Sequence, residues 1–272
     1  MPEAVYGDWS AEREKIPSGF LQPTAHLNNV HRFGPAQLAQ IRRAYYACIT
    51  ELDTMLGRLF ARLRELNLLH NTWIVFTSDH GEMLGDHGMG GKTTFLEPAA
   101  HIPLIIRPAG EWDQEPRRGT TCDELATLQD ILPTCLKLGR VETPAPAADY
   151  GLDLLAAAAG EATRPRFIGH CGQQFGVIED FWKYTCTTAG EGELLFDLST
   201  DPQEKVNLAP AQPGRCAAMR KALEAELATV QSPALDTDGR LALTPSIPPE
   251  DVRRWTAWPG FHFNTTPSDL LH

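Results

Sequence analysis

Residues 72–92 have the sequence TWIVFTSDHGEMLGDHGMGGK, in which a short apolar run leads into a glycine-rich loop with charged side chains. The run at 73–76 is continuous and rich in β-branched and aromatic residues, and it predicts a strand that is buried on both faces of a parallel sheet. Asp79 and His80 follow directly after it. Because ligands in open α/β sheets bind at the carboxyl ends of the strands, this position favours a functional site.

The charged residues of this stretch are suited to binding a metal and an anion. An adjacent carboxylate and imidazole, Asp79 and His80, can contact one cation where the backbone turns sharply, and Gly81 permits such a turn. An oxygen donor with one nitrogen donor suits Ca²⁺, Mg²⁺ or Mn²⁺. Lys92 follows across the loop, and its ammonium group could bind a sulfate or phosphate oxygen beside the metal. Asp, His and Gly are also ordinary loop residues, so a purely structural loop stays open as an alternative.

The segments on either side predict alternating helices and strands. Apolar residues recur at every third or fourth position over 37–66, which predicts one long amphipathic helix that begins near Pro35. A second apolar run at 102–107 predicts another buried strand. Residues 127–138 predict a helix that Pro133 kinks or divides into two pieces. A long helix that leads into buried strands indicates an α/β fold.

The C-terminal part has the pattern of a small α+β region. Strand-like runs separated by turn residues predict an antiparallel meander, at 166–171, 181–188 and 193–198. One short helix is predicted before them at 154–159, and a longer one after them at 217–230. Residues 233–272 are rich in proline and aromatic side chains without a period, and we expect them to cover a surface or to lack order.

The composition excludes several classes of protein. A net charge of −11 at pH 7 disfavours binding to nucleic acid or to an anionic membrane, because phosphate binding needs a face rich in lysine and arginine. No apolar run is long enough to span a membrane, and the N-terminal segment lacks the pattern of a signal peptide. A cytoplasmic location is therefore the default expectation, and a periplasmic or secreted one stays open if the true N-terminus lies upstream. The six cysteines lack the spacing of a zinc site or a disulfide scaffold, and most are expected to be reduced.

Four motifs in the order of one known family extend over roughly residues 37 to 210. SDHGEMLGDHGMGGKTTFLEPAAHIPLIIR, at 78–107, resembles the second signature of the sulfatase family, in which S-D-H-G-E precedes a lysine and a strand with V/I-P-L-I. The helix with Tyr45 and Asp53 resembles the family's Y-x-x-x-I/V-x-x-x-D helix. TLQDILPTCLKLGRVETP resembles its D-I-x-P-T stretch, and ELLFDLSTDPQEKVNLA resembles its L-Y-D-L-x-x-D-P-x-E-x-x-N-L segment.

The resemblance to sulfatases implies an α/β fold of the alkaline-phosphatase superfamily. Residues 1–140 would be the C-terminal part of the catalytic domain, a partial sheet flanked by helices, and 141–272 a small antiparallel α+β subdomain with a tail. The implied activity is metal-dependent hydrolysis of sulfate esters. Relatives that hydrolyse phosphonate monoesters or phosphodiesters share the Asp-His pair and the lysine, so that substrate class is the alternative.

The resemblance also assigns roles to individual residues. Asp79 and His80 match ligands of a divalent ion, which is usually Ca²⁺, with Mg²⁺ or Mn²⁺ as alternatives. Lys92 matches the catalytic lysine that contacts the sulfate of the substrate. For His87, which lies in the loop between them, a catalytic contact with the substrate and a hydrogen bond that stabilises the loop are equal alternatives.

Two elements that the family carries near its N-terminus do not occur in this sequence. They are the Asp-Asp pair that completes the metal site and the C/S-x-P-x-R motif, whose Cys or Ser becomes the formylglycine nucleophile. We therefore expect a truncated or split sulfatase that is active only when an N-terminal half is supplied in trans. A non-catalytic remnant or partner subunit is the alternative. Because half of a sheet leaves a strand edge exposed, we also expect homo-oligomers.

Overall fold

The computed structural model describes residues 2–17, 20, 30, 33–110, 119–141, 151–171, 173–188 and 192–242. The chain divides into two compact units, each built from separate segments. The first unit comprises Met1–Ala44, His80–His101 and Ile168–His272, and the second comprises Tyr45–Asp79 and Ile102–Phe167. The domain boundary expected near residue 140 stays a prediction, and most of the proline-rich tail lies outside the described residues.

Most of the predicted helices are present close to their predicted bounds. The long helix, α1, is Pro35–Glu65, and proline at its first position costs no hydrogen bond because that N–H has no partner within the helix. The later helices are α2 (Glu97–Ala100), α3 (Ile131–Leu138), α4 (Leu154–Ala158) and α5 (Pro213–Thr229). A 3-10 turn at Leu128–Asp130 precedes α3. The helix predicted at 127–138 therefore consists of two pieces, which meet between Asp130 and Ile131, and Pro133 lies in the first turn of the second piece.

The two strands of the second unit pair in the opposite sense to the expected one. They are β1 (Ile74–Thr77) and β2 (Leu104–Arg107), which are antiparallel with Ile74 opposite Arg107. The prediction of a parallel sheet is wrong for this pair, because a loop rather than a long crossover helix connects the strands. The prediction of burial on both faces is also wrong, since all four residues of β1 are only half-buried.

The C-terminal sheet has one strand more than predicted. Its strands lie in the order β3 (Phe167–Cys171), β4 (Gln174–Glu179), β5 (Trp182–Thr187) and β6 (Glu193–Asp197). The β4–β5 and β5–β6 pairs are antiparallel, which confirms the meander. Strand β4 was missed because Gly176 interrupts its apolar pattern. That glycine is required by packing, since a Cβ there would lie 2.7 Å from the ring of Phe95.

Among the described residues, two apolar clusters form the core, and both belong to the first unit. One lies between the C-terminal sheet and α5, and it includes Val177, Tyr184, Leu195 and Leu223. The other joins the N-terminal segment to the glycine-rich loop and β6, and it is made of Trp9, Ile16, Phe20, Met83, Met89, Leu96, Ala99, Leu194 and Phe196. The loop predicted to carry the site is therefore anchored in a well-packed region.

Candidate active site

Two of the predicted site residues lie directly after β1. Asp79 is exposed and His80 is half-buried. Nδ1 of His80 lies 2.8 Å from the carbonyl oxygen of Gly81. Because a carbonyl oxygen only accepts, Nδ1 carries the proton and the lone pair is on Nε2, which is the form in which a neutral imidazole binds a metal. The backbone next to His80 thus sets the tautomer that metal binding needs.

The ends of the glycine-rich loop are joined by backbone hydrogen bonds. The N–H of Gly81 donates to the carbonyl of Ala99 at 2.8 Å, and the N–H of Glu82 donates to the carbonyl of Pro98 at 2.9 Å. At Gly81 a Cβ atom would lie 2.1 Å from the carbonyl oxygen of Pro98, so only glycine allows this approach. The residue that follows the metal-ligand pair is therefore fixed by the closure of the loop.

A second closure lies just before Lys92. The carboxylate of Glu82 accepts a hydrogen bond from the N–H of Gly91 at 2.5 Å, and the N–H of Met83 donates to the carbonyl of Gly91 at 2.9 Å. Lys92 follows immediately and is exposed. Within the described part of the chain, its ammonium group has no hydrogen-bond or ion-pair partner. A fixed backbone thus presents a cation that is available to an anion.

His87 is buried, in contrast to the exposed Lys92. Its ring is 1% exposed and stacks on Trp9 with 4.9 Å between the ring centroids. Nδ1 lies 2.9 Å from Oγ of Ser10, and the ring also bonds to the backbone of Gln203. Burial lowers the pKa of His87 to about 4, so the ring is neutral at pH 7. The catalytic role of His87 stays a prediction, and these contacts favour the loop-stabilising alternative.

Asp86 connects the same loop to the N-terminal segment and to α1. Its Oδ1 accepts a hydrogen bond from the N–H of Val5 at 2.9 Å and from Nη1 of Arg42 at 3.0 Å. Arg42 also donates to the carbonyl of Leu84 at 2.9 Å. The interior of the loop is thus held by buried contacts on two sides.

A buried group of charges connects the far end of the loop to the C-terminal sheet. Lys183 on β5 is fully buried, pairs with Glu97 at the start of α2, and pairs with Glu204 at 2.9 Å. The carboxylate of Glu204 also accepts a hydrogen bond from the N–H of Glu97 at 2.7 Å. Burial raises the pKa of Glu204. For Glu97, burial alone would raise the pKa, but Lys183 lowers it below the ordinary value.

Several of these anchoring residues have no local sequence pattern that predicts their role. The pattern around Lys183 is the same as that around a lysine that faces solvent. Its partners Glu97 and Glu204 are 86 and 21 residues away along the chain. Trp9 and Ser10 lie in a segment without hydrophobic periodicity, so no local pattern predicts that they are buried. Glu204 lies in the segment that resembles the family's D-P-x-E pattern, but that pattern does not predict its burial.

The structure places the predicted site residues in different units. His80 and Lys92 belong to the first unit and Asp79 to the second. Among the described residues, no three His, Cys, Asp or Glu side chains come together as a ligand set. One carboxylate and one imidazole supply far fewer donors than the roughly 6–8 that surround Ca²⁺. The described side chains therefore do not by themselves form a complete divalent metal site, and the assignment of Asp79 and His80 as metal ligands stays a prediction.

No helix in the described part of the chain is both long and apolar enough to cross a bilayer.

Known proteins are similar to this chain over much of its length. Residues 7–141 match the model of the family described as Sulfatase. Arylsulfatase K from Xenopus laevis is 31% identical over 209 residues, which make up 70% of this chain and 38% of that protein. The chain thus spans about two fifths of the length of this relative.

Solved structures show the same fold. A Bacteroides fragilis protein assigned as a sulfatase is 29% identical with a TM-score of 0.58, and the match covers 70% of this chain and 43% of that one. The phosphonate monoester hydrolase of Agrobacterium radiobacter is 27% identical with a TM-score of 0.56, and its match covers 78% of this chain and 47% of that one. These structures confirm the α/β fold of the alkaline-phosphatase superfamily. The chain therefore belongs to the sulfatase family, and residues 7–141 carry its Sulfatase domain.

Proposed function

We propose that this chain supplies part of the active site of a metal-dependent sulfatase, with Asp79 and His80 as metal ligands and Lys92 as the substrate-binding cation. The observation that supports this most directly is the double closure of the loop. Backbone bonds at Gly81 and the carboxylate of Glu82 hold the segment that ends at Lys92, whose ammonium is exposed. An exposed lysine on a fixed backbone is suited to binding an anion at a defined place.

The reaction that this arrangement supports is hydrolysis of a sulfate ester. The bond between sulfur and the alcohol oxygen breaks, water supplies the new oxygen on sulfur, and the alcohol leaves with a proton. The ammonium group of Lys92 would balance negative charge on the sulfate oxygens. A divalent ion, which we assign as Ca²⁺ with Mg²⁺ or Mn²⁺ as alternatives, would supply further positive charge when bound by Asp79 and His80.

The remaining parts of such a site would come from polypeptide that this sequence does not contain. It has neither an Asp-Asp pair nor a C/S-x-P-x-R motif for the formylglycine nucleophile. We therefore propose a truncated or split enzyme that needs an N-terminal half in trans. If no such half exists, the chain is a non-catalytic remnant.

Hydrolysis of phosphonate monoesters is the second candidate. It is favoured by the likeness to the phosphonate monoester hydrolase of Agrobacterium radiobacter, which is 27% identical over a match that covers 78% of this chain. A phosphonate presents oxygens to a lysine and a metal in the same way as a sulfate. The described residues that we assign to the site would serve either anion.

Matched substrates would test both candidates. This chain is co-expressed with the part of the Bacteroides fragilis protein that lies outside the match, and the purified complex receives an aryl sulfate or the corresponding aryl phosphonate monoester. We expect turnover of the sulfate that requires both polypeptides and Ca²⁺ and is abolished by a chelator. Turnover of the phosphonate alone would favour the second candidate. Turnover by the isolated chain would contradict the split enzyme, and no turnover by a folded complex would contradict both activities.

A further inference from the structure

The part of α1 that belongs to the second unit presents apolar side chains to solvent. Tyr45, Cys48, Leu52, Met55 and Leu59 follow one another at intervals of three and four residues, which places them along one side of the helix. Cys48 is exposed, and the exposed fractions of the other four residues run from 39% to 52%. We call these five residues the α1 stripe. It is about 21 Å long at 1.5 Å per residue.

The second unit has almost no apolar core of its own. Its buried residues in the described part of the chain are Asp130, Thr134, Leu154 and Ala157, of which two are apolar. The fully buried Asp130 is held by Arg164, whose two terminal nitrogens lie 2.6 and 2.7 Å from its carboxylate oxygens. A unit of this size is normally stabilised by apolar burial rather than by one ion pair. Its apolar surfaces therefore need a cover.

The sheet of the second unit is uncovered in the same way. Strand β1 is an apolar run of the kind that is buried on both faces in α/β proteins, yet all its residues are half-exposed. On β2, Ile105 is 60% exposed. In the described part of the chain, the helix and the sheet thus both leave apolar side chains partly exposed, which indicates that a layer of structure is absent rather than that one side chain is misplaced.

The comparisons indicate what the absent layer is. More than half of the Bacteroides fragilis protein lies outside its match with this chain, although the match covers 70% of this chain. A second copy of this chain is a weaker candidate, because each copy carries a net charge of −11 and two copies repel each other. A second copy would also bring no Asp-Asp pair and no nucleophile motif.

We propose that the α1 stripe and the β1–β2 sheet are the docking surface for the remaining α/β portion of a sulfatase domain. This inference rests on the proposed split enzyme and names the surface through which its parts assemble. The exposed area of the stripe and its neighbours Tyr46 and Ile49 is on the order of 500 Å², a large part of the roughly 800 Å² that each partner buries in a stable interface.

Charge substitutions in the stripe test the proposal. The variant L52E/L59E places two carboxylates in the surface, and Ala61→Glu places one on the opposite side of the same helix, where the residue is also exposed. Each variant is co-expressed with the part of the Bacteroides fragilis protein that lies outside the match. Affinity is measured by titration of the purified partners, and the mass of the complex by light scattering. We expect a one-to-one complex that L52E/L59E weakens at least tenfold and that Ala61→Glu leaves unchanged.

Two outcomes would overturn the docking surface. One is that wild type and L52E/L59E bind the probe equally, including the case in which neither binds. The other is a dimer of the isolated chain that L52E/L59E converts to a monomer, because a second copy would then be the occupant. A stripe-dependent complex that hydrolyses neither an aryl sulfate nor an aryl phosphonate would leave the docking surface standing and contradict the proposed function.

Discussion

The ammonium group of Lys183 and the carboxylate of Glu204 form an ion pair at 2.9 Å in which both side chains are fully buried. Removing one partner of such a pair leaves an uncompensated charge in a medium of low dielectric. We expect Lys183→Met to lower the free energy of unfolding by about 3–5 kcal/mol. Urea denaturation measures this, and Lys221→Met serves as the control because Lys221 is exposed on α5. Equal effects of the two substitutions would show that the buried pair does not stabilise the fold.

Two glycine substitutions should shift stability in opposite directions. Gly81→Ala would place a Cβ 2.1 Å from the carbonyl oxygen of Pro98, so we expect a loss of about 1–3 kcal/mol as the loop closure is displaced. Gly57 lies within α1 and has no atom within 4 Å of an added Cβ. Gly57→Ala should therefore stabilise the chain by about 0.5–1 kcal/mol through helix propensity. Thermal unfolding of both variants checks the signs, and a stabilising Gly81→Ala would refute the close approach.

The free energy of unfolding should decrease as the pH is lowered, and His87 is the reason. Its pKa is about 4 in the folded chain, where burial disfavours the charged ring, against an ordinary value of 6.5. The unfolded chain therefore binds more protons than the folded chain below pH 6.5. The contribution of His87 to stability is fully present above pH 6.5 and is lost as the pH falls toward 4. The expected loss over this interval is about 3 kcal/mol.

Asparagine at position 87 isolates this contribution. His87 has a φ of 53°, and asparagine tolerates this left-handed conformation better than most residues but does not titrate. His87→Asn should remove most of the slope between pH 6.5 and 4 in denaturation experiments. His70→Gln, a change at an exposed histidine, should keep the slope. If His87→Asn kept it as well, another group would be responsible.

Lys92 should affect the rate of the assembled enzyme and not the stability of the fold. Its side chain is exposed and therefore contributes little to the core, whereas the loss of one positively charged or donor group at a reacting anion commonly costs about 10²–10³ in rate. We expect Lys92→Ala to lower kcat/KM by that factor and Lys92→Arg to recover part of it. Lys221→Ala is the matched control. Unchanged kcat/KM in Lys92→Ala, measured on the complex with an aryl sulfate, would remove Lys92 from the site.

Local patterns in the sequence predicted the helices other than the short α2, and they predicted that Asp79 and His80 follow a strand. The spacing of apolar residues located α1 to within two residues at each end, because an amphipathic helix repeats its pattern over many turns. Asp79 and His80 were expected after a strand and do follow β1. These features depend on residues that are close along the chain.

Features that depend on distant residues were predicted poorly. The antiparallel direction of β1 and β2 depends on the path of the connecting loop, and an apolar run has the same appearance in either direction. Strand β4 was not predicted, because Gly176 interrupts its apolar pattern. The residue that requires glycine there, Phe95, is 81 residues earlier in the chain. The structural position of His87 likewise depends on Trp9 and Ser10 from the N-terminal segment. Such contacts have no local signature.

The unequal distribution of apolar core between the two units has a consequence for the binding of a metal ion. Local opening costs least where few apolar contacts are buried, so backbone amides of the second unit should exchange with deuterium faster than those around Trp9 and β5. Asp79, which we propose as a metal ligand, belongs to the second unit. An ion bound there would also have to supply the free energy of keeping Asp79 in its folded position. Its affinity would then report how firmly the second unit is held in its folded state, and a docked partner that slows exchange there would tighten metal binding without contributing a ligand.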